Sequence, residues 1–284
     1  MRLSSAFILA IATGIFAVAC NSPIGFDDAL EQGEAVDSAK QPLLSSLRPK
    51  PPAGMNGKSP ACFWDADTQQ AYRLLGREPL NQSNGKIMNL RSLITERCYT
   101  EALENAIECA LPEGTTVRDS SGQEFHGWWG LAPSWLDNPL DTDGARWVTG
   151  CMAQRLNGTG TTIEILLGGA TPPLGIDEAW QALMPYDEST AYGDVFNVPD
   201  GTTAQIYVCW SDDADQQCAG TGCTPEEVPD LRICDRSSVC GLTVVGKCTD
   251  VCTRTDSSHP WMTCPMPDGS QSNHTVHVRL EHPY

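Results

Sequence analysis

The clearest apolar periodicity lies between residues 90 and 110, where it predicts an amphipathic helix. Apolar side chains recur there at intervals of three and four, namely Leu93, Ile94, Ala102, Leu103, Ala106 and Ile107. Pro112 and Gly114 end this predicted helix. Residues 115–118 and 123–126 predict a hairpin, because the segment between them has the polar, glycine-containing composition of a turn.

A second helix is predicted to begin near Thr142 or Asp143 and to end at Asn157-Gly158. Its apolar side carries Trp147, Val148, Cys151, Met152 and Leu156. Further patterns predict strands at residues 161–167, 204–210 and 275–280. Another predicts a short helix at residues 176–183. Helices and strands do not alternate in long βα units, which favours the α+β class. We expect two helices packed on a small, mostly antiparallel sheet.

The first twenty residues have the pattern of an export signal that ends in a lipid attachment site. Residues 3–18 carry no charge, and the small residues Ala17 and Ala19 precede Cys20. The segment resembles the lipobox of bacterial lipoproteins, with Ala17 where leucine is usual. Cys20 is therefore predicted to be lipidated and to begin the mature chain after removal of residues 1–19. A plain secretory signal before an unrelated cysteine is the alternative.

The segment after the signal has no sustained hydrophobic period. Residues 20–60 contain prolines, glycines and many small polar residues, so they are predicted to form a flexible tether. A flexible coil of about 40 residues has a mean reach of about 35 Å. The folded part is predicted to be a single disulfide-bonded domain over residues 61–284. It includes a loop-dominated, cysteine-rich annex at residues 209–264.

Cysteine number supports the prediction of export. The chain has 13 cysteines, and setting Cys20 aside leaves an even number that can pair completely. An oxidising compartment makes disulfides the expected state for Cys62, Cys98, Cys109, Cys151, Cys209, Cys218, Cys223, Cys234, Cys240, Cys248, Cys252 and Cys264. Structural zinc is the alternative, but no Cys-x2-Cys spacing occurs in the sequence.

Helix geometry restricts how the first four of these cysteines pair. Cys98 and Cys109 fall in one predicted helix, three turns and about 16 Å apart. A disulfide requires Cα atoms within about 7 Å, so these two cannot bond to each other. We predict that Cys109 pairs with Cys151, joining the two helices, and that Cys62 pairs with Cys98. The pairing within the annex stays open.

The charge of the chain excludes some partners. Acidic residues number 36 against 18 basic ones, which gives a net charge of −18. Such a field repels nucleic acids and anionic lipid surfaces. Nucleic acid is therefore not an expected partner, and a membrane is expected as a partner only through the lipid on Cys20.

Residues that carry common enzyme chemistry are few. His274 and His277 would point to opposite faces of a strand, which does not suit one metal ion. No Gly-x-Ser-x-Gly motif occurs in the sequence. Three aspartates hint at a calcium loop, but Pro139 interrupts their spacing, and capping of the second helix is the favoured interpretation for Asp137, Asp141 and Asp143. We predict no catalytic residues, no metal and no cofactor.

Eight tryptophans are the one feature that suggests ligand binding. Trp128, Trp129 and Trp135 cluster after the predicted hairpin, and flat aromatic faces suit the rings of sugars. Core packing is the favoured interpretation, because aromatic side chains dominate the cores of small domains. The exposure of these three side chains distinguishes a carbohydrate-binding surface from a core.

Three further motifs resemble an uncharacterised family of exported, cysteine-rich proteins from myxobacteria. The motifs are Cys109-Ala110-Leu111-Pro112-Glu113-Gly114, Gly130-Leu131-Ala132-Pro133-Ser134-Trp135 and Arg146-Trp147-Val148-Thr149-Gly150-Cys151. The resemblance covers roughly residues 90–167 and implies export and a shared scaffold, without a known activity. It also supports the Cys109–Cys151 bridge, because both cysteines lie within shared motifs.

These patterns lead to one main functional hypothesis and two alternatives. We expect an exported, lipid-anchored protein of the cell envelope, at the outer membrane or cell surface, with a non-enzymatic binding or structural role. The partner would be an envelope polysaccharide or another surface protein. A carbohydrate- or peptidoglycan-binding module is the first alternative, and a secreted hydrolase is the second.

Overall fold

The structure, a computed structural model, describes residues 54–55, 57–160, 163–175, 178–218, 222–234, 240–254 and 262–282. The predicted signal peptide, the lipidation site at Cys20 and most of the predicted tether lie outside the described residues. No helix among the described residues is long and apolar enough to cross a membrane.

The protein has an α+β fold, as predicted, but its described residues contain more helices than the two long helices and one short helix expected. The helices of the described residues are α1 (Pro60–Phe63), α2 (Ala66–Gly76), α3 (Glu96–Ala110), α4 (Thr142–Gln154), α5 (Glu178–Leu183), α6 (Ala214–Gln217), α7 (Val228–Cys234) and α8 (Cys248–Val251). Short 3-10 turns lie at Pro133–Leu136, Pro172–Leu174 and Pro225–Glu227. The two long helices that the sequence predicted are α3 and α4, and the predicted short helix at residues 176–183 is α5.

A six-stranded sheet forms the centre of the fold, in the order β1-β4-β11-β5-β6-β7. All neighbouring pairs are antiparallel except β6 and β7, which run parallel. The strands are β1 (Gly54–Met55), β4 (Ile163–Gly169), β5 (Tyr186–Gly193), β6 (Ile206–Trp210), β7 (Leu242–Lys247) and β11 (Val276–Leu280). The predicted hairpin is β2 (Thr116–Arg118) with β3 (Glu124–His126). A third small sheet contains β8 (Thr253–Arg254), β9 (Met262–Pro265) and β10 (Gln271–Ser272).

Helix α4 packs directly on the sheet, and its sequence explains how. Asp141 caps its N-terminus by accepting a hydrogen bond from the Gly144 amide at 2.7 Å. A Cβ atom at Gly150 would lie 2.9 Å from Cγ2 of Val276, so only glycine permits this close approach to β11. The buried Gln154 amide donates to the carbonyls of Ser189 and Val276 at 3.2 and 3.1 Å. Helix and sheet thus share one core.

Helix α3 is shorter than its pattern predicted. It begins at Glu96, whereas Leu90 and Ile94 belong to a preceding turn in which the Ile94 amide donates to the Leu90 carbonyl. Cys98 and Cys109 do lie in this one helix, and neither bonds to the other. The bridges Cys62–Cys98 and Cys109–Cys151 are both present, with Cα atoms 5.1 and 6.0 Å apart. The two pairings predicted from helix geometry are therefore confirmed.

The described residues of the annex contain more regular structure than predicted. They include helices α6, α7 and α8, strands β7 and β8 and most of β9. Its eight cysteines form four bridges, Cys209–Cys248, Cys218–Cys223, Cys234–Cys240 and Cys252–Cys264. Strand β7 extends the central sheet, so part of the annex belongs to the main architecture.

The first described residues overlap the end of the segment predicted to be a tether. Gly54 and Met55 pair with Glu164 and Ile163 of β4. Ser59 caps α1, accepting a hydrogen bond from the Cys62 amide. The folded part therefore begins several residues before the predicted boundary at residue 61.

Candidate functional site

The tryptophans predicted as a possible binding surface do not form one. Trp135 is fully buried, and its indole Nε1 donates to the Glu78 carbonyl at 3.0 Å. Trp129 is 5% exposed and belongs to the main core. Trp128 is half-buried and packs against that core. All three side chains pack in or against the core, as the core interpretation predicts, and Trp129 and Trp135 are too buried to offer a platform for a sugar ring.

A cleft lies elsewhere, between α2 and the loop that precedes β6. Its volume is about 490 Å³, within the range that small-molecule sites occupy in proteins. From the helical side it is lined by Trp64, Asp67, Gln69, Gln70, Arg73 and Arg77, and from the loop by residues 200–203. We call this space the Trp64 cleft.

Local sequence places the helical residues on one side of the cleft. Asp65 caps α2 by accepting hydrogen bonds from the amides of Asp67 and Thr68. Trp64 therefore occupies the junction between α1 and α2. Gln69 and Arg73 follow at helical positions four apart, and Arg77 caps the C-terminus of α2. Residues spaced by four share a helix face, which directs this set towards one opening.

The opposite wall is a turn held by its own hydrogen bonds. The Thr202 amide and hydroxyl both donate to the Pro199 carbonyl, at 3.1 and 2.6 Å. Gly201 has φ +79°, a conformation that favours glycine. The Thr202 carbonyl in turn accepts a hydrogen bond from Nη1 of Arg73 at 3.1 Å. The loop and the helix are thus joined through the guanidinium group.

Three buried polar atoms of the cleft residues have no hydrogen-bond partner among the described residues. They are Nε1 of Trp64, Oε1 of Gln69 and Nε of Arg73. Gln69 is 2% exposed and its orientation is fixed, because Nε2 donates to the Phe63 carbonyl at 2.7 Å. Arg73 is 7% exposed. A buried polar atom left without a partner costs about 1–3 kcal/mol. These three atoms have almost no accessible surface, so they lie within the wall of the cleft, where a ligand in the cleft does not reach them.

The charges of the cleft are balanced within it. Asp200 lies 3.2 Å from Nη2 of Arg77 and 4.0 Å from Nε of Arg73. The Asp200 side chain is 79% exposed, so its attraction to either arginine is weakened by water. The arginines make this surface less acidic than the chain as a whole.

A second, smaller cavity of about 160 Å³ lies where β5, β6 and the annex meet. Asp187, Asp212 and Asp213 line it together with Arg254 and Arg279. Burial raises the pKa of Asp187 to about 7, and Asp213 adds to this effect, while Arg279 opposes it. Lys247 and Arg254 lie 3.1 and 3.9 Å from the Asp212 carboxylate. The positive charges of Lys247 and Arg254 thus offset the negative charge of Asp212.

His274 and His277, which the sequence analysis considered as metal ligands, are held among other side chains of the fold. His274 precedes β11, and its Nε2 lies 3.2 Å from an Asp143 carboxylate oxygen. Its ring also meets Trp147 edge to face, with ring centroids 5.2 Å apart. His277 lies within β11, where burial lowers its pKa to about 3 and holds it neutral. Asp141 caps α4, as the capping interpretation predicts.

Three sulfur atoms lie near enough to one another to hold a metal ion, those of Cys209, Cys252 and Cys264. Each belongs to a disulfide, in the bridges Cys209–Cys248 and Cys252–Cys264. A sulfur in a disulfide is not the thiolate that zinc requires.

The sequence did not predict the Trp64 cleft. Gln69, Arg73 and Arg77 have a spacing of four, which is common on exposed helices. The contact that defines the cleft joins Arg73 to Thr202, which are 129 residues apart. The Pro199-Asp200-Gly201 segment predicts a turn, but no pattern in one sequence relates that turn to α2.

The three motifs of the sequence resemblance meet in space around the C-terminus of α3. The amides of Gly130, Leu131 and Ala132 donate to the carbonyls of Leu111, Cys109 and Ala110. The Cys109–Cys151 bridge joins the first motif to the third. The chain was compared with protein-family models, with curated proteins and with solved structures, and none of them matches it.

Proposed function

We propose that this chain is a lipid-anchored protein of the cell envelope that binds a polar ligand in the Trp64 cleft without transforming it. The observation that carries the proposal is a cleft of about 490 Å³ whose lining combines Trp64 with the positive charges of Arg73 and Arg77. A ligand that offers hydroxyl or carboxylate groups can accept hydrogen bonds from guanidinium groups.

Side chains that line the cleft are held in place before a ligand binds. Gln69 and Arg73 are each held by a hydrogen bond to the main chain, at Phe63 and Thr202. Side chains fixed before binding lose little conformational entropy when the ligand arrives. The cleft therefore supplies ordered polar groups around an aromatic ring, which is the usual composition of a binding site.

The lipid anchor is the second part of the proposal and rests on the sequence around Cys20. Two lipid attachments give stable membrane association, whereas one chain gives only weak binding. We expect Cys20→Ser to move the protein from the membrane fraction to the soluble fraction. A Cys20→Ser protein that stays with membranes after a high-salt wash would show that lipid on Cys20 is not the anchor.

Binding in the cleft can be tested with insoluble cell envelopes prepared from the producing bacterium. The mature chain, without lipid, is incubated with the envelopes and sedimented. We expect Trp64→Ala and Arg73→Gln each to weaken sedimentation about tenfold, the effect of losing about 1.4 kcal/mol. Arg118→Gln is the matched control, because its side chain is 62% exposed on the distant hairpin.

The folded state of each variant is checked by circular dichroism and by resistance to protease. If folded Trp64→Ala and Arg73→Gln sediment as well as the unsubstituted protein, the cleft is not the binding site. If the unsubstituted protein does not sediment with envelopes, the proposed envelope ligand is wrong.

A further inference from the structure

We infer that the neighbouring bridges Cys209–Cys248 and Cys252–Cys264 form one thiol–disulfide exchange site, in which a thiol freed in either bridge attacks the other bridge. The product in both directions is a Cys209–Cys252 bridge. The site accepts electrons from a dithiol, an activity that is separate from binding in the Trp64 cleft. The inference rests on the distances between sulfur atoms of different bridges and on the apolar shell around them.

The two bridges lie in contact with each other. Sγ of Cys209 is 3.8 Å from Sγ of Cys252, although these atoms belong to different bridges. Sγ of Cys264 lies within 4.8 Å of both. A thiolate exchanges with a disulfide by attacking one of its sulfur atoms. Because the sulfur atoms of Cys209 and Cys252 already touch, a freed side chain needs only to rotate into line with the bond that breaks.

Three elements bring these cysteines together. Cys209 lies in β6 and Cys264 in β9, while Cys248 begins α8 and Cys252 caps its C-terminus. Residues four apart share one side of a helix, so Cys248 and Cys252 face the same way. Cys209 is bonded to the first of them and touches the second. Either cysteine of α8 can therefore be the partner of Cys209.

An apolar shell encloses the sulfur atoms. The four cysteines are at most 7% exposed, and they pack with Tyr192, Tyr207 and Met262 in a cluster of their own. A thiol released inside this shell is shielded from thiols in solution. A reaction partner held in contact has an effective concentration far above that of any dissolved thiol. The other bridge is therefore the favoured target of a freed thiol.

The smaller cavity reaches this site from the surface. Cys248 lines it together with Asp212 and Arg254, whose side chains are 52% and 46% exposed. Cys248 itself is only 2% exposed, so a dithiol reaches its sulfur when α8 opens locally. Because α8 has four residues, such an opening disrupts few contacts and costs less than global unfolding. Exchange between the two bridges needs no such access.

The reaction with a dithiol balances in atoms and electrons. One thiolate of the dithiol bonds to Sγ of Cys248, and Cys209 leaves as a thiolate. The second thiolate of the dithiol bonds to the first, which releases Cys248 as a thiol and the dithiol as a cyclic disulfide. Cys209 then attacks Sγ of Cys252, and the electron pair of the broken bond passes to Cys264, which takes up a proton. Two electrons and two protons thus pass from the dithiol to Cys248 and Cys264.

Exchange changes which elements are cross-linked. Strand β6 stays bonded to α8, now through Cys252 instead of Cys248. Strand β9 loses the bond from Cys264 to the end of α8. Electrons that enter at the β6 bridge therefore release β9, which belongs to the small sheet of β8, β9 and β10.

Single alanine variants test the internal step without any outside thiol. In Cys264→Ala the thiol begins on Cys252, and attack on Cys209 should move it to Cys248. In Cys248→Ala the thiol begins on Cys209 and should move to Cys264. Both variants are made in a Cys20→Ser mature chain and checked for folding by circular dichroism. Each is held near pH 8.5, where about half of an ordinary thiol is ionised, then acidified, denatured, labelled with a maleimide and mapped by mass spectrometry.

The label shows whether the thiol has moved. We expect it on the newly released cysteine in at least about a tenth of the molecules of each variant. Cys151→Ala is the matched control, since no third cysteine sulfur of the described residues lies within 4.8 Å of both sulfur atoms of the Cys109–Cys151 bridge. Its label should stay on Cys109. Label that stays on the starting cysteine in both test variants, as in the control, overturns the exchange site.

The unsubstituted chain gives a second measurement that does not depend on the folding of a variant. It is treated with limiting dithiothreitol, labelled in acid and mapped without further reduction. Molecules that gain two thiols in this cluster should carry them on Cys248 and Cys264, together with a Cys209–Cys252 peptide. Two thiols from one original bridge, with the other bridge intact, overturn the inference. A cluster that stays oxidised while the other bridges open overturns the acceptance of electrons from a dithiol. None of these results bears on binding in the Trp64 cleft.

Discussion

Arg232 and Glu188 form an ion pair in which neither side chain has any exposed surface. Nε of Arg232 donates to both Glu188 carboxylate oxygens at 2.8 Å. Nη1 of Arg232 also donates to the carbonyls of Gln154 and Leu156, at 2.7 and 2.9 Å. One guanidinium group thus connects α7 of the annex with β5 and with the C-terminal end of α4.

We predict that this pair makes the annex and the central sheet unfold together. Arg232→Ala leaves Glu188 as a buried charge without its partner, and we expect a loss of about 3–5 kcal/mol in the free energy of unfolding. Urea denaturation of the disulfide-bonded mature chain measures it. Lys247→Ala removes an exposed ion pair with Asp212 and is the control, with a much smaller loss because water screens the pair. Equal losses in the two variants would contradict the prediction.

The Cys109–Cys151 bridge should be a major source of stability. It closes a loop with a sequence separation of 42, for which chain entropy gives about 4 kcal/mol. The Cys218–Cys223 bridge has a separation of only 5 and gives about 2 kcal/mol by the same relation. We expect the double alanine variant of the first pair to lower the melting temperature more than that of the second. A larger effect from the second pair would contradict this order.

The second cavity predicts a pH dependence of stability. Burial raises the folded-state pKa of Asp187 from 3.8 to about 7, so between these values the folded chain holds a proton that the unfolded chain has lost. Stability from this group is therefore full below pH 4, falls as pH rises towards 7, and is flat above that. Asp187→Asn should flatten the fall and raise the free energy of unfolding at pH 8 by about 1–2 kcal/mol, because solvent at the partly exposed side chain moderates the effect.

This prediction is checked by urea denaturation of both proteins from pH 4 to pH 8. An Asp187→Asn protein whose stability declines with pH as steeply as that of the unsubstituted chain would show that another group is responsible. Asp213 also raises the pKa of Asp187. The Asp213→Asn variant should therefore give a smaller change in the same direction.

A thiol count tests the full disulfide set. The six bridges include every cysteine except Cys20. Denatured, unreduced mature protein with the lipid on Cys20 should therefore show no thiol that reacts with a maleimide, whereas the reduced protein should show twelve. Labelling of two or more cysteines before reduction would indicate an open bridge or a metal site.

The helical half of the fold was predictable because its signals are local. The apolar positions at residues 102–107 follow the period of α3, and Asp141 before α4 is a standard cap. Because the sequence predicts that Cys98 and Cys109 lie in one helix, the distance between them excludes a disulfide bond between the two. Prediction succeeded where a few neighbouring residues decide the structure.

The other parts of the fold, and the cleft, depend on contacts between residues far apart in the chain, which a single sequence does not reveal. Strand β5, Tyr186–Gly193, was not predicted because it is rich in small and polar residues, including Glu188, whose partner Arg232 lies 44 positions away. The Trp64 cleft was missed for the same reason, since α2 meets residues 200–203 only in the folded chain. We predicted a loop-dominated annex because its helices and strands are too short to produce a clear periodic pattern.

The Cys62–Cys98 bridge determines how the protein responds to a pull from its N-terminal side. Tension along the chain meets first the two-residue pairing of β1 with β4 and then the single turn of α1. Only about eight residues, about 28 Å of extended chain, can unravel before a covalent bond carries the load. From Cys98 the force passes along α3 to Cys109 and through Cys151 into α4. A molecule held at its N-terminus can thus be pulled while the other five strands of its sheet and its cleft stay intact.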